Sequence, residues 1–296
     1  MKGELLCLPC TVRTALDIAA KATEDKELQS KLVFETMKWL SETFEVLNET
    51  PAMLHTHVQR LAKKLTGNPD PFKDLKKASN EIALRVVPVL EKKCARLEFM
   101  NAFRLAALGT ICGNTIDFEV EEHQFSIDEL ESSLLLCLDG DLATDDTVKL
   151  KEALSKSRKA VYLLDNAGEI VFDKFFIKTI IDHFSVKVYA AVKTGPILND
   201  ATIEDAEQVR LEEVAEIITT GNDHIGVNLN ESSEEFREHL RTADLIIAKG
   251  QGNYESLTEV EHLFPKPIVY ILKAKCSLVA DKLGVPRNGN VVKVIS

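Results

Sequence analysis

The sequence predicts an α/β fold in two parts, an all-helical N-terminal part followed by a part built on a mainly parallel sheet. Two observations carry this expectation. Up to about residue 110, apolar residues recur at intervals of three and four, the period of a helix with one buried face. From about residue 146, short β-branched runs alternate with helical segments, the order in which strands lie parallel and helices form the crossovers.

The helical stretches are TALDIAAKA, LQSKLVFETMKWLSETFEVL, MLHTHVQRLAKKL and a long run from Asp74 to Leu108. Asn68-Pro69-Asp70-Pro71 breaks the pattern and predicts a helix start, with Asp70 as cap and Pro71 at the first position. Six strands follow: AVYLL, VKVYAAV, AEIITTG, DLIIAKG, PIVYIL and VVKVIS. The expected units are a helical domain at 1–110, a connecting segment at 111–145 that contributes to a cleft, and an α/β domain at 146–296. The connection contains the turn-like CGNTIDF and the acidic LDGDLATDD.

Composition narrows the function. The net charge is −11, from 47 acidic and 36 basic residues, with no basic run to track a phosphate backbone, which argues against nucleic acid. No apolar stretch approaches the roughly 18 to 20 residues of a membrane span, and MKGELL does not lead into a signal core, so a cytoplasmic protein without a membrane partner is expected. Nothing in the sequence sets the oligomeric state. The six cysteines read as reduced thiols, with Cys94, Cys112, Cys137 and Cys276 as small buried apolar residues. Cys7 and Cys10 form a CxxC pair ahead of a helical pattern, either redox or metal thiols or packing residues; the other two ligands of a four-thiolate site are missing.

Chemistry concentrates at strand ends. In VYLLDNAGEIVFD an apolar run stops at Asp165 and Asn166, and in VKVYAAVKTGPILNDAT another is followed by Asn199 and Asp200. In an open α/β sheet the crevice beyond the carboxyl ends of the strands receives ligands. Each aspartate alone is a good helix cap, but Asp-Asn after one strand and Asn-Asp after another point jointly to a cation site. Asp165, Asn166 and Asp200 offer two carboxylates and a carbonyl oxygen, a set suited to a hard divalent cation with positions left open for a substrate oxygen. Manganese or magnesium fits best, and cobalt or nickel can substitute.

ADLIIAKGQGNYESL places Lys249 after a third strand, where its ammonium is expected to emerge toward a phosphate, with Gly250 and Gly252 letting backbone amides approach the anion. Lys275 follows a fourth strand and is a further phosphate candidate. Glu169 lies in a first helical turn, where a carboxylate is favourable in any case, and is assigned behind the ligands. Asn114 and Asp117 either face the site from the helical half or serve a turn. The seven histidines show no ligand spacing and are read as structural. GQGNYE keeps only two glycines of a dinucleotide fingerprint, which argues against that cofactor.

CLPC at 7–10, GNTIDF at 113–118, DNAGEIVFD at 165–173, GPILNDATIEDA at 195–206, KGQGNYESL at 249–257 and LKAKC at 272–276 together resemble the DUF89 family of metal-dependent damage-control phosphatases. The early CxxC is similar to the archaeal-type branch called subfamily I. The resemblance implies a helical N-terminal domain on a three-layer α/β/α sandwich with a Rossmann-like sheet, a metal held by Asp165, Asn166 and Asp200, and hydrolysis of phosphate monoesters of small metabolites such as damaged or surplus sugar phosphates. Attack on phosphorus comes from water or from an aspartate. The competing readings are a carboxyl methyltransferase using S-adenosylmethionine and a non-catalytic metal- or metabolite-binding protein.

Overall fold

The structure is a computed structural model that describes residues 1–42, 48–121 and 127–295, with the backbone alone for 114–121 and 127. Six helices come first: α1 (Cys7–Ala22), α2 (Lys26–Glu42), α3 (Pro51–Thr66), α4 (Lys73–Cys94), α5 (Phe99–Glu121) and α6 (Ile127–Leu138). The alternating part follows as β1 (Leu142–Asp145), α7 (Thr147–Lys156), β2 (Lys159–Leu163), α8 (Glu169–His183), β3 (Lys187–Val192), α9 (Ile203–Gln208) and β4 (Glu216–Thr219). It continues with α10 (Glu234–Thr242), β5 (Leu245–Lys249), α11 (Gly250–Leu257), β6 (Ile268–Lys273), α12 (Ser277–Leu283) and β7 (Asn290–Ile295).

The strands form one sheet in the order β1-β7-β6-β5-β2-β3-β4, parallel throughout except where β7 returns antiparallel to β6. The chain builds outward from β2 to β4, then comes back to lay β5 against the other edge of β2. Strand order therefore reverses between β2 and β5, and the crevice above that point is where such sheets bind ligands. All six expected strands are present; β1 was not anticipated, being a four-residue edge strand inside an acidic segment.

Side-chain alternation along the strands makes the layers. Tyr162, Leu164, Val188, Ala190, Ile247 and Ile271 pack with α4, α5, α6 and α8 in one core. Val161, Leu163, Ile246, Ala248, Tyr270 and Leu272 pack with α10, α11 and α12 in the other. This is the expected α/β/α sandwich. Helices α1 to α3 close around a smaller core of Ala15, Ile18, Leu32, Val58 and Phe72.

Several expectations are corrected. CGNTIDF is helix, not turn: α5 runs unbroken through it, so the boundary at 110–111 falls inside an element. Glycine is there because α5 lies close against α8; a Cβ on Gly113 would sit 2.6 Å from the Phe172 ring, and one on Gly109 would overlap Leu90 of α4. Helices α4 and α5 thus form a layer of the sandwich instead of a separate unit. Asp70 accepts the Phe72 N–H at 3.2 Å in a turn that precedes α4, and the helix starts at Lys73. Cys112 and Cys137 form a disulfide between α5 and α6, against the reading of six reduced thiols. No helix among the described residues is long and apolar enough to cross a membrane.

The α5–α8 contact leaves no room for a side chain at residue 113. Gly113→Val is expected to destabilise the protein by about 1–3 kcal/mol through overpacking, read as a lower urea midpoint with an unchanged slope.

Candidate active site

Strand β2 ends at Leu163, and the two loops that leave β2 and β3 are stitched together. Ala201 N–H donates to the Asp165 carbonyl at 2.8 Å, Ala167 N–H donates to the Asn199 carbonyl at 2.9 Å, and Asn166 pairs with Asp200 in an isolated antiparallel bridge. Backbone hydrogen bonds thereby bring Asp165, Asn166, Asn199 and Asp200 to one cavity of about 270 Å³, with Lys275, Gln251 and Gly252 opposite. The Leu198 backbone that delivers Asn199 is left-handed at φ 44°, an uncommon conformation for a leucine that the packing around it holds.

The Asn166 amide nitrogen donates to Asp165 Oδ2 at 3.2 Å and to Glu169 Oε1 at 2.9 Å. With both N–H groups committed, Asn166 offers its carbonyl oxygen to a ligand. Burial, reinforced by the negative charges of Glu169 and Asp200, pushes the Asp165 carboxyl well above the usual range, while Lys275 and Lys249 pull the other way. Asp200 is pushed up to about 6 by burial, against Lys193 and Lys76. A half-buried carboxylate, Asp165, a buried one, Asp200, and an oriented carbonyl oxygen form a donor set that fits a hard divalent cation. Among the described residues no cluster of three or more His, Cys, Asp or Glu is arranged to hold a metal.

One of the two expected lysines departs from its expected position. Lys249 is fully buried and does not emerge into the cleft: its ammonium donates to Thr110 O at 3.1 Å and pairs with Glu169 at 3.1 Å and Asp173 at 3.2 Å. The reason is that α8 presents two carboxylates beneath the sheet end, and Asp173, pushed up to about 6 by burial, also accepts the Tyr162 hydroxyl at 2.6 Å. Lys275, on the loop after β6, is the lysine that lines the cavity. Sequence reading missed Lys193, which directly follows β3 and lies 3.7 Å from Asp200 while donating to Gly226 O at 2.6 Å. The same signal, a lysine closing an apolar run, marks both.

Glu169 accepts from Asn166 on one oxygen and pairs with Lys249 through the other. Gly250, at φ +77°, opens α11, and a Cβ there would overlap the Asp165 carboxylate. The anion that approaches this glycine is thus the protein's own aspartate. Gly252 lines the cavity and lies under Ile225, which a Cβ would approach to 2.7 Å. From α4, Asn80 accepts the Gly168 N–H at 2.7 Å and donates to Asp205 at 2.9 Å, tying the helical layer to both loops.

Asn114 and Asp117 lie outside the residues whose side chains are described. Cys7 and Cys10 sit in the first turn of α1 as free thiols, and burial pushes both up, opposite to the activation a helix N-terminus would give. His55 was read as structural; it lines the cavity, together with Glu255, and burial lowers it to about 4, so it is neutral. Neither residue carries a motif, and only the packing of α3 against α11 brings them together.

Gly250→Ala is expected to lower the denaturant midpoint by on the order of 1–3 kcal/mol, because the substitution is strained at positive φ and displaces Asp165. The raised carboxyls set a pH dependence. Asp173 and Asp200 titrate near 6 when folded, above the value of about 4 in the unfolded chain, so the native state binds their protons more tightly. Their stabilising contribution is complete below about pH 4 and is lost as pH rises through about 6. In chelator, the melting temperature is expected to fall between about pH 4 and 6, with a shallower fall in Asp200→Asn.

Comparison with known proteins places the fold in a family. A family model described as "Damage-control phosphatase ARMT1-like domain" matches residues 5–291. A damage-control phosphatase of Pyrococcus horikoshii is 37% identical over 291 residues, covering 98% of this chain and 97% of that protein. One of Archaeoglobus fulgidus is 36% identical over 296 residues and covers both chains fully, at 100% each. An uncharacterized protein of Methanocaldococcus jannaschii is 41% identical over 288 residues, 97% of this chain and 93% of that one. The crystal structure of a DUF89 family protein from Pyrococcus horikoshii superposes with a TM-score of 0.89 at 36% identity, over 99% of this chain and 98% of that chain. Strand order, loop pairing and full-length similarity lead to one assignment: this chain belongs to the DUF89, ARMT1-like family of damage-control phosphatases.

Proposed function

We propose that the protein is a divalent-cation-dependent phosphomonoesterase acting on small phosphorylated metabolites, sugar phosphates among them. The observation that carries this reading is the convergence of Asp165, Asn166 and Asp200 in one cavity with Lys275 facing them. Asp165, Asn166 and Asp200 would hold the cation, with manganese the first choice and magnesium, cobalt or nickel as substitutes. When bound, the cation supplies positive charge against the phosphate and acidifies the attacking water.

The chain's own groups do the rest. Lys275 and the first amides of α11 face the remaining phosphate charge. Lys249 acts from below: by pairing with Glu169 and Asp173 it fixes the carboxylate that orients Asn166. Lys193 fixes Asp200 in the same way. Asp165 rests on the Gly250 backbone and accepts from Asn166, an engagement that suits a ligand better than a nucleophile and favours water as the attacking group. The cavity's other wall, with Ala52, Phe72, Leu75 and Leu198 beside His55, Gln251 and Glu255, has room for a small organic group.

Chelator-treated protein is expected to lose hydrolysis of p-nitrophenyl phosphate and to regain it with manganese. Asp165→Ala should remove at least about 10³-fold of the turnover and Lys275→Ala about 10²-fold, with circular dichroism unchanged. Near-native turnover of Asp165→Ala at saturating manganese would overturn its assignment. Methyl transfer from a labelled donor, without phosphate release, would favour the methyltransferase reading.

A further inference from the structure

We propose that Glu255 is the proton donor to the leaving oxygen of the phosphate ester, an inference that rests on the phosphatase reading above. Helix α11 carries Gln251 and Glu255 one turn apart, and both line the cavity that holds Asp165, Asn166 and Asp200. Glu255 and His55 line the same cavity as Lys275 and the ligand set, and Gln251 links Glu255 to Lys275, so a carboxyl lies within the space where a departing alkoxide would need a proton.

Glu255 is positioned by its neighbours. Its Oε1 accepts from Gln251 Nε2 at 2.8 Å, and the Ala52 backbone N–H also donates to the carboxylate. Gln251 is itself fixed, because its Oε1 accepts the Lys275 N–H at 3.1 Å and its amide reaches Cys276 Sγ at 3.6 Å. The residue is 5% exposed, so its carboxyl is shielded from bulk water.

Its protonation suits the task. Burial raises Glu255 to about 7, against the hydrogen bonds from Gln251 and Ala52 and the charge of the Met1 amino group, so the acid form persists at neutral pH. The other groups around it are Lys275 and Cys276 on the loop after β6, His55 on α3, and Cys7 and Cys10 on α1, whose thiols both respond to its charge. His55, neutral down to about 4, has no proton to give in its place.

The step balances. The bond from phosphorus to the ester oxygen breaks, its electron pair stays on that oxygen, and the oxygen takes the Glu255 proton to leave as an alcohol. Water oxygen forms the new bond to phosphorus. One water proton remains on the phosphate product, and the other passes to solvent, from which Glu255 is reprotonated.

The test compares two esters on the manganese-loaded enzyme: p-nitrophenyl phosphate, whose leaving group departs without a proton, and an alkyl phosphate such as glycerol 3-phosphate. Glu255→Gln is expected to lower kcat/KM for the alkyl ester by about 10²-fold or more, and for the aryl ester by less than about threefold. Manganese affinity by calorimetry should be unchanged. Wild-type enzyme should also show an alkaline fall in kcat/KM near about pH 7 with the alkyl ester and not with the aryl ester, a comparison that does not depend on the variant folding. Equal losses for both esters, or wild-type profiles that coincide, would overturn the proton-donor role while leaving the phosphatase reading intact. Hydrolysis of neither ester by the wild type would overturn both.

Discussion

The structure depends on holding two carboxylates, the half-buried Asp165 and the buried Asp200, within one cavity. Each would repel the other and resist burial, and both are accordingly shifted toward the protonated form. A fold holds such a pair only if the surrounding backbone and charges over-determine it. Here the bridge between the β2 and β3 loops fixes their separation, Gly250 leaves space for one carboxylate, and Lys193 partners the other. Binding a cation would relieve the remaining repulsion, which links the stability of the site to the chemistry proposed for it.

A second charge system lies directly beneath. Lys249, Glu169, Asp173 and Tyr162 form a connected set of ion pairs and hydrogen bonds under the ends of β2 and β5. A buried ion pair of this kind is weak evidence for stability, because desolvation offsets much of the attraction. Its value here is positional. Glu169 hands one oxygen to Lys249 and the other to Asn166, so the direction in which Asn166 aims its carbonyl is decided by residues that never meet the substrate. The helical half participates through Asn80, Thr110 and His55, so it is part of the site's construction rather than a separate module.

Much of this was legible in the residues. Asp-Asn after one strand and Asn-Asp after another pointed to the crevice beyond the strand ends, and these residues do line one cavity there. The same local view failed where packing decides. Lys249 and Lys275 look alike along the chain, and which one reaches the cavity depends on α8 placing Glu169 and Asp173 below the first. CGNTIDF looks like a turn because it contains glycine, yet Gly113 serves a close crossing of α5 and α8. Cys112 and Cys137 pair because α5 and α6 lie together, which spacing does not reveal.

By itself the sequence determined the class of fold, six of the seven strands and the polar residues that follow their ends, since these follow from periodicity and from residue chemistry along the chain. Tertiary structure decided which charges face the cavity, which are paired beneath it, and that Glu255 and Gln251 line it together with Asp165, Asn166 and Asp200. The physical reason is that burial and pairing of a charge depend on neighbours brought in from distant parts of the chain, and local pattern carries no record of them.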